Sequence, residues 1–196
     1  DSEVSARKGL YLQAGITPFL GFGGTDSGAQ FKSDGRIYRA FGPGKKFVLA
    51  GRLQVGTVSG ARLLQTPPNL LFYSGGGGTV RGQPYQSLSV TSPRPGGGTI
   101  ETGGASFVGV SGELRMQVTE KIGAVAFYDY GYITNGNFFG GAAESQSGAG
   151  IGLRYDTGFG PIRFDVAAPV SGSTGDGMHG ALALDGVADR SGQQLV

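Results

Sequence analysis

The sequence predicts an all-β protein, a transmembrane antiparallel up-and-down β-barrel, on three observations. Apolar and polar residues alternate with period two, the alternating segments run to about 10 to 13 residues, and tight connections alternate with long ones. No apolar run approaches the ~18 residues of a membrane-crossing helix. That excludes helical spanning and leaves barrel strands open, because these alternate instead of running apolar.

Taken in order, residues 9–20 (GLYLQAGITPFL) set Leu10, Leu12, Ala14 and Ile16 against Tyr11, Gln13, Gly15 and Thr17. Residues 30–41 (QFKSDGRIYRAF) read as a strand whose faces are poorly separated, so its register stays open. In 46–57, Phe47, Leu49, Leu53 and Val55 oppose Arg52, Gln54 and Gly56. The cleanest alternation is 106–118, where Val108, Val110, Leu114, Met116 and Val118 oppose Ser111, Glu113, Arg115 and Gln117. In 121–133, Ile122, Ala124, Ala126, Tyr128, Tyr130 and Tyr132 oppose Gly123, Asp129 and Gly131, and the tyrosines fit an aromatic girdle. Ile151, Leu153 and Tyr155 then oppose Gly152, Arg154 and Asp156, and Ile162, Phe164, Val166, Ala168 and Val170 oppose Arg163, Asp165 and Ala167.

The connections GPGKK (42–46), TEK (119–121) and TGFGP (157–161) are tight. The stretches 21–30, 58–104, 135–148 and the Gly/Ser/Asp-rich tail from 171 are long. Seven strands result, an odd number where single-chain bacterial barrels carry an even one. A water-soluble sandwich with one apolar core face remains the alternative, since periodicity does not say which face points outward.

Composition narrows the function. Sixteen Lys and Arg against 14 Asp and Glu leave a net charge of +2 with no basic block, which excludes a nucleic-acid footprint. The absence of cysteine removes disulfides, thiolate nucleophiles and Cys-based metal sites. Forty glycines are about three times the usual share and follow no Gly-X-Y period. Four of them open GGGGTVRGQPYQS (75–87), which is no phosphate loop, because no Gly-Lys-Ser/Thr and no strand-to-helix context follow.

Chemistry of the catalytic kind is not encoded. No G-x-S-x-G is present, and the single His179 falls in a loop context, GDGMHG, and reads as exposed. Glu113 and Asp129 could pair for glycoside hydrolysis in principle, but nothing around them frames a sugar. Both acids do lie on the polar face of neighbouring strands. A folded-back 58–104 would bring Arg81 to them; otherwise Arg81 is a solvent-facing loop residue. Arg154, Asp156, Arg163 and Asp165 read as charged lining of that face.

The set GGGGTVRGQPYQS, GELR, FYDYG and GIGLRYDTGFGPIRFDVAAPV, in that order, resembles the C-terminal half of the BamA/TamA superfamily barrel of outer-membrane assembly and translocation proteins. GG-x-x-TVRG followed by Tyr-Gln-Ser is most similar to the TamA branch, and RKG at 7–9 resembles the family's turn before a strand. The resemblance implies a sixteen-stranded barrel whose N-terminal half and POTRA domains lie outside the chain. It implies that 58–104 is a loop inserted in the lumen, with Val80, Arg81 and Gly82 as its tip and Glu113 and Asp129 as its acidic partners. Gln83 stands where many members carry an aromatic residue, and the chain stops at Gln193-Gln194-Leu195-Val196, about where a final strand would begin.

The implied activity is non-enzymatic and needs no cofactor: insertion or secretion of autotransporter-type clients at the bacterial outer membrane. The implied partners are outer-membrane lipid, unfolded β-barrel clients and an inner-membrane or periplasmic subunit. General insertion in the BamA manner, or a barrel carrying an upstream secreted hydrolase, are the alternatives.

Overall fold

A computed structural model describes residues 6–94, 96–136, 138, 140–157, 160–172 and 179–184. Alternation becomes eight strands of one antiparallel sheet: β1 (Lys8–Phe19), β2 (Gly28–Phe41), β3 (Phe47–Ser59), β6 (Ser106–Gln117), β7 (Ile122–Thr134), β8 (Ala143–Thr157), β9 (Gly160–Ser171) and β10 (His179–Leu184). Their spatial order is β1-β2-β3-β6-β7-β8-β9-β10. The missing numbers belong to a separate hairpin of β4 (Val90–Pro93) and β5 (Thr99–Thr102), which lies within the connection between β3 and β6. Among the described residues, no helix is long and apolar enough to cross a membrane.

Three expectations need correction. Among the described residues the sheet is not a closed barrel, because no ladder joins β1 to β10. A closed barrel of eight strands has an interior just wide enough for side chains. Here the inner face also carries the folded 60–105 segment, for which such an interior has no room. The strand count is eight in this sheet, not seven, because HGALAL at 179–184 pairs with β9 from Leu184↔Ile162 to His179↔Ala167. His179 is therefore the first residue of a strand and not part of a loop. The expectation for Gln193-Gln194-Leu195-Val196 lies outside the described residues.

The two faces differ as period two requires. Leu49, Leu114, Ala126, Ile151 and Val166 are register partners across five adjacent strands and form one rung of the outward face. Leu49, Leu114 and Ile151 are exposed there. On the opposite face, Val125, Phe127, Asp129 and Ile133 of β7 are buried. Ile133 is covered by 60–105, from which Phe72, Leu88 and Val90 pack with Val58, Phe107 and Ile133 of the sheet, while Val125 and Phe127 cluster with Ala167 of β9. Each such side chain contributes about 1.5–3 kcal/mol on burial.

Close approach of the segment needs gaps in the sheet, and inward-facing glycines supply them. A Cβ on Gly56 would stand 2.2 Å from the Phe72 ring, and one on Gly131 would stand 2.3 Å from Ser74 Oγ. On the outward face, Ile151 is ninth of the fifteen residues of β8. With the outward face in lipid, as the resemblance implies, Ile151→Arg is expected to lower stability in lipid vesicles by about 2–4 kcal/mol, read by denaturant titration.

Candidate functional site

The 75–87 stretch is a compact tip, not a tether. Ser74 and Leu88 form an isolated bridge at its root, and Gly76 bridges Val80. Gly75 (φ 115°) and Gly76 (φ 85°) take a backbone conformation that only glycine adopts readily. Gly77 and Gly78 do not: a Cβ on either would meet open space. The four glycines of the 75–78 run thus divide into two that the turn requires and two that it tolerates.

The tip carries Val80, Arg81 and Gly82 onto the inner face. Val80 is fully buried. Its Cγ2 lies 2.9 Å from where a Cβ on Gly131 would stand. Gly82 (φ 88°) lies against β9, where a Cβ would come within 2.7 Å of the Ala168 carbonyl oxygen. Between them the Arg81 backbone lies over β8, its carbonyl oxygen 1.9 Å from the Cβ position of Gly148.

Arg81 reaches acids on three strands. Its Nε and Nη2 donate to Asp129 Oδ2 and Oδ1 at 2.7 and 2.9 Å, and its backbone N–H donates to Oδ2 at 3.1 Å. Nη1 donates to Glu113 Oε1 at 2.7 Å and lies 3.7 Å from Asp165 Oδ2. The guanidinium also stacks over Phe127, 3.6 Å from the ring centroid. Arg115 occupies the other oxygen of Glu113, and Arg154 ion-pairs with Asp165. Three arginines and three carboxylates therefore alternate in sign and sum to zero. The fork geometry of the guanidinium suits this bidentate capture of Asp129, which a lysine could not reproduce.

Both oxygens of Asp129 are taken by Arg81 and its side chain is 1% exposed, so the Glu113/Asp129 pair does not face a cleft for sugar chemistry. Among the described residues no group of three or more His, Asp or Glu could hold a metal ion.

Two further anchors hold the tip, of which the sequence marks only Gln83, and that as a departure from an aromatic pattern. Arg52, forked on Asp34, donates to the Gly78 carbonyl oxygen at 3.1 Å. Gln83, 3% exposed, donates from Nε2 to the carbonyl oxygens of Ser147 and Ser171, each at 2.9 Å. These carbonyls flank the shift in β8–β9 register at Ser147/Gly148. An amide thus does here what an aromatic ring could not, closing a gap in the ladder. Gln83→Ala is expected to cost about 1–3 kcal/mol, since it strands the Ser147 carbonyl, and to speed amide exchange around 147–148.

At its base the segment is tied to the β1–β2 connection. Arg62 forks Asp26 with bonds of 2.8 and 3.0 Å and adds its backbone N–H. These side-chain bonds, then the backbone one, pull the Asp26 carboxyl down to about 2. Because the folded value is depressed, the tie is complete above the ordinary value of about 4 and is lost as pH falls through about 2. An NMR titration of Asp26 should show the low value, returning to about 4 in Arg62→Ala.

Comparison with known proteins decides the family. The model of the Omp85 superfamily domain matches residues 1–182. The chain belongs to the Omp85 superfamily. This Omp85 chain is an outer-membrane protein, and such proteins turn their outward apolar face to lipid. Its fold is similar to that of BamA from Haemophilus ducreyi lacking POTRA domains 1–3, with a TM-score of 0.67 and 19% identity. The match covers 88% of this Omp85 chain and 37% of the BamA chain, so the chain spans under half the length of the protein it matches.

Proposed function

We propose that the chain works in outer-membrane protein assembly and translocation in the manner of the TamA branch, with autotransporter-type β-rich proteins as its clients. The observation that carries this reading is the seated tip. GG-x-x-TVRG followed by Tyr-Gln-Ser is the stretch most like that branch, and it is held on the inner face by Arg81, Arg52 and Gln83. A segment fixed so firmly across the inner face argues against simple diffusion along it. The work assigned to the protein is therefore on other proteins at the outer membrane and not on small solutes.

Depletion of the full-length protein tests the reading. Surface levels of autotransporters are expected to fall while bulk porin assembly persists. A parallel fall in porins would assign general insertion instead. Unchanged autotransporter levels would remove the TamA-like reading.

A further inference from the structure

Leu20 and Phe22 stand out among the described residues. They are 92% and 93% exposed, more than any other large apolar side chain, yet their backbone is not loose. The Gly21 N–H donates to Ser27 Oγ at 2.9 Å and the Phe22 N–H to Thr25 Oγ1 at 2.8 Å. The Asp26 N–H donates to the Gln65 carbonyl oxygen at 3.0 Å, and Arg62 forks the Asp26 carboxylate. None of these bonds uses the side chains of Leu20 or Phe22. A firmly built turn therefore presents two apolar groups outward, where leaving each in water forgoes about 1.5–3 kcal/mol.

Their direction follows from the strand that precedes them. Leu10, Leu12 and Ile16 lie on the outward face of β1, which ends at Phe19, and Leu20 keeps their parity one residue beyond, while the Cβ position of Gly21, between Leu20 and Phe22, faces the turn 2.2 Å from the Thr25 carbonyl oxygen. Phe19, of opposite parity, turns inward and packs on the core with Phe72 and Ile133. Ten steps from Leu10 to Leu20 at ~3.4 Å each, tilted by about 40°, rise about 26 Å, against an apolar band of about 25 Å. Leu20 then lies at the upper edge of that band, and Phe22 at the level where aromatic girdles sit.

We propose that the 20–27 turn is a membrane anchor, inserting Leu20 and Phe22 into the bilayer interface at the long-loop end of the sheet. Continuity with the lipid-facing side of β1 selects lipid as the occupant. The Asp26–Arg62 tie holds the anchor at a fixed angle to the 60–105 segment, so membrane contact and the inner-face tip share one frame.

The test uses the full-length protein with Phe22→Cys or, as the control on the opposite face of β1, Thr17→Cys, each labelled with an environment-sensitive dye. Both are reconstituted in phosphatidylethanolamine/phosphatidylglycerol vesicles containing a lipid spin-labelled near the headgroup. The label at 22 is expected to be blue-shifted and quenched about threefold more than the label at 17. Equal quenching at both positions overturns the proposal. So does a blue shift at 22 without lipid quenching, which would mean that a protein covers the turn. A second variant, Leu20→Ser with Phe22→Ser, should fold with wild-type heat-modifiability and raise protease cleavage of the 20–27 turn in vesicles. Unchanged cleavage in vesicles also overturns it.

Discussion

Arg81→Ala in the full-length protein is expected to release the 60–105 segment from the inner face, with most of the loss arising at Asp129. That carboxylate is 1% exposed and receives three hydrogen bonds from Arg81, one of them from the backbone. Truncation leaves it with the backbone bond alone, and an uncompensated buried charge of this kind costs about 3–5 kcal/mol. The docking equilibrium should therefore fall by about two to three and a half powers of ten. Glu113 keeps Arg115 and Asp165 keeps Arg154, so the damage concentrates on one acid. Limited proteolysis within 60–105 and heat-modifiability on semi-native gels read the result. Arg81→Lys should lie between wild type and alanine, because it restores charge without the fork. Wild-type protease access in Arg81→Ala would show that the ion pairs do not hold the tip.

Gly148→Ala should produce an undocking of similar size by a different cause. The added Cβ would stand 1.9 Å from the Arg81 carbonyl oxygen, a backbone atom that cannot swing aside. Overpacking in a fitted interior costs about 1–3 kcal/mol, and a collision with backbone at this distance lies at or above the upper end. The two variants separate by electrostatics. The Arg81→Ala defect should be relieved when Asp129→Asn removes the stranded charge, whereas the Gly148→Ala defect should not respond. Gly77→Ala and Gly78→Ala are the matched controls, since a methyl group there meets nothing within 4 Å, and both should retain wild-type protease resistance.

Strand faces were legible because a period of two needs only the local sequence. From Val108 to Val118 or Ile122 to Tyr132, residues divide into two faces without knowing any neighbour, but which face turns inward depends on what packs there, as Val125, Phe127 and Ile133 beside Asp129 show. Closure was not legible, for it depends on whether β1 and β10 meet, and neither edge carries a local sign of its partner. HGALAL was hidden by its shortness and by the glycine-rich residues around it, and the β4–β5 hairpin by its four-residue strands. At the site, alternation alone puts Glu113 and Asp129 on one polar face. Their distance to Arg81 depends on chain folding back over 32 and 48 residues, which no spacing encodes. Asp165 read as lining for the same reason: its approach to Arg81 is set by lateral strand order. Gln83 was visible only as a departure from an aromatic pattern, and its partners are backbone carbonyls, which carry no sequence signal.

The bonds of Gln83 also fix an order of events. Its acceptors at Ser147 and Ser171 lie 64 and 88 residues further along the chain and belong to two different strands. The tip cannot take up both until β8 and β9 are paired, and closing so long a loop yields nothing before its far end is in place. The two bonds of Gln83 are therefore expected to form late in folding, which pulsed amide exchange during refolding would read. A chain arrested before residue 171 would lack the second acceptor of Gln83, so full seating of the tip reports that the later strands have arrived.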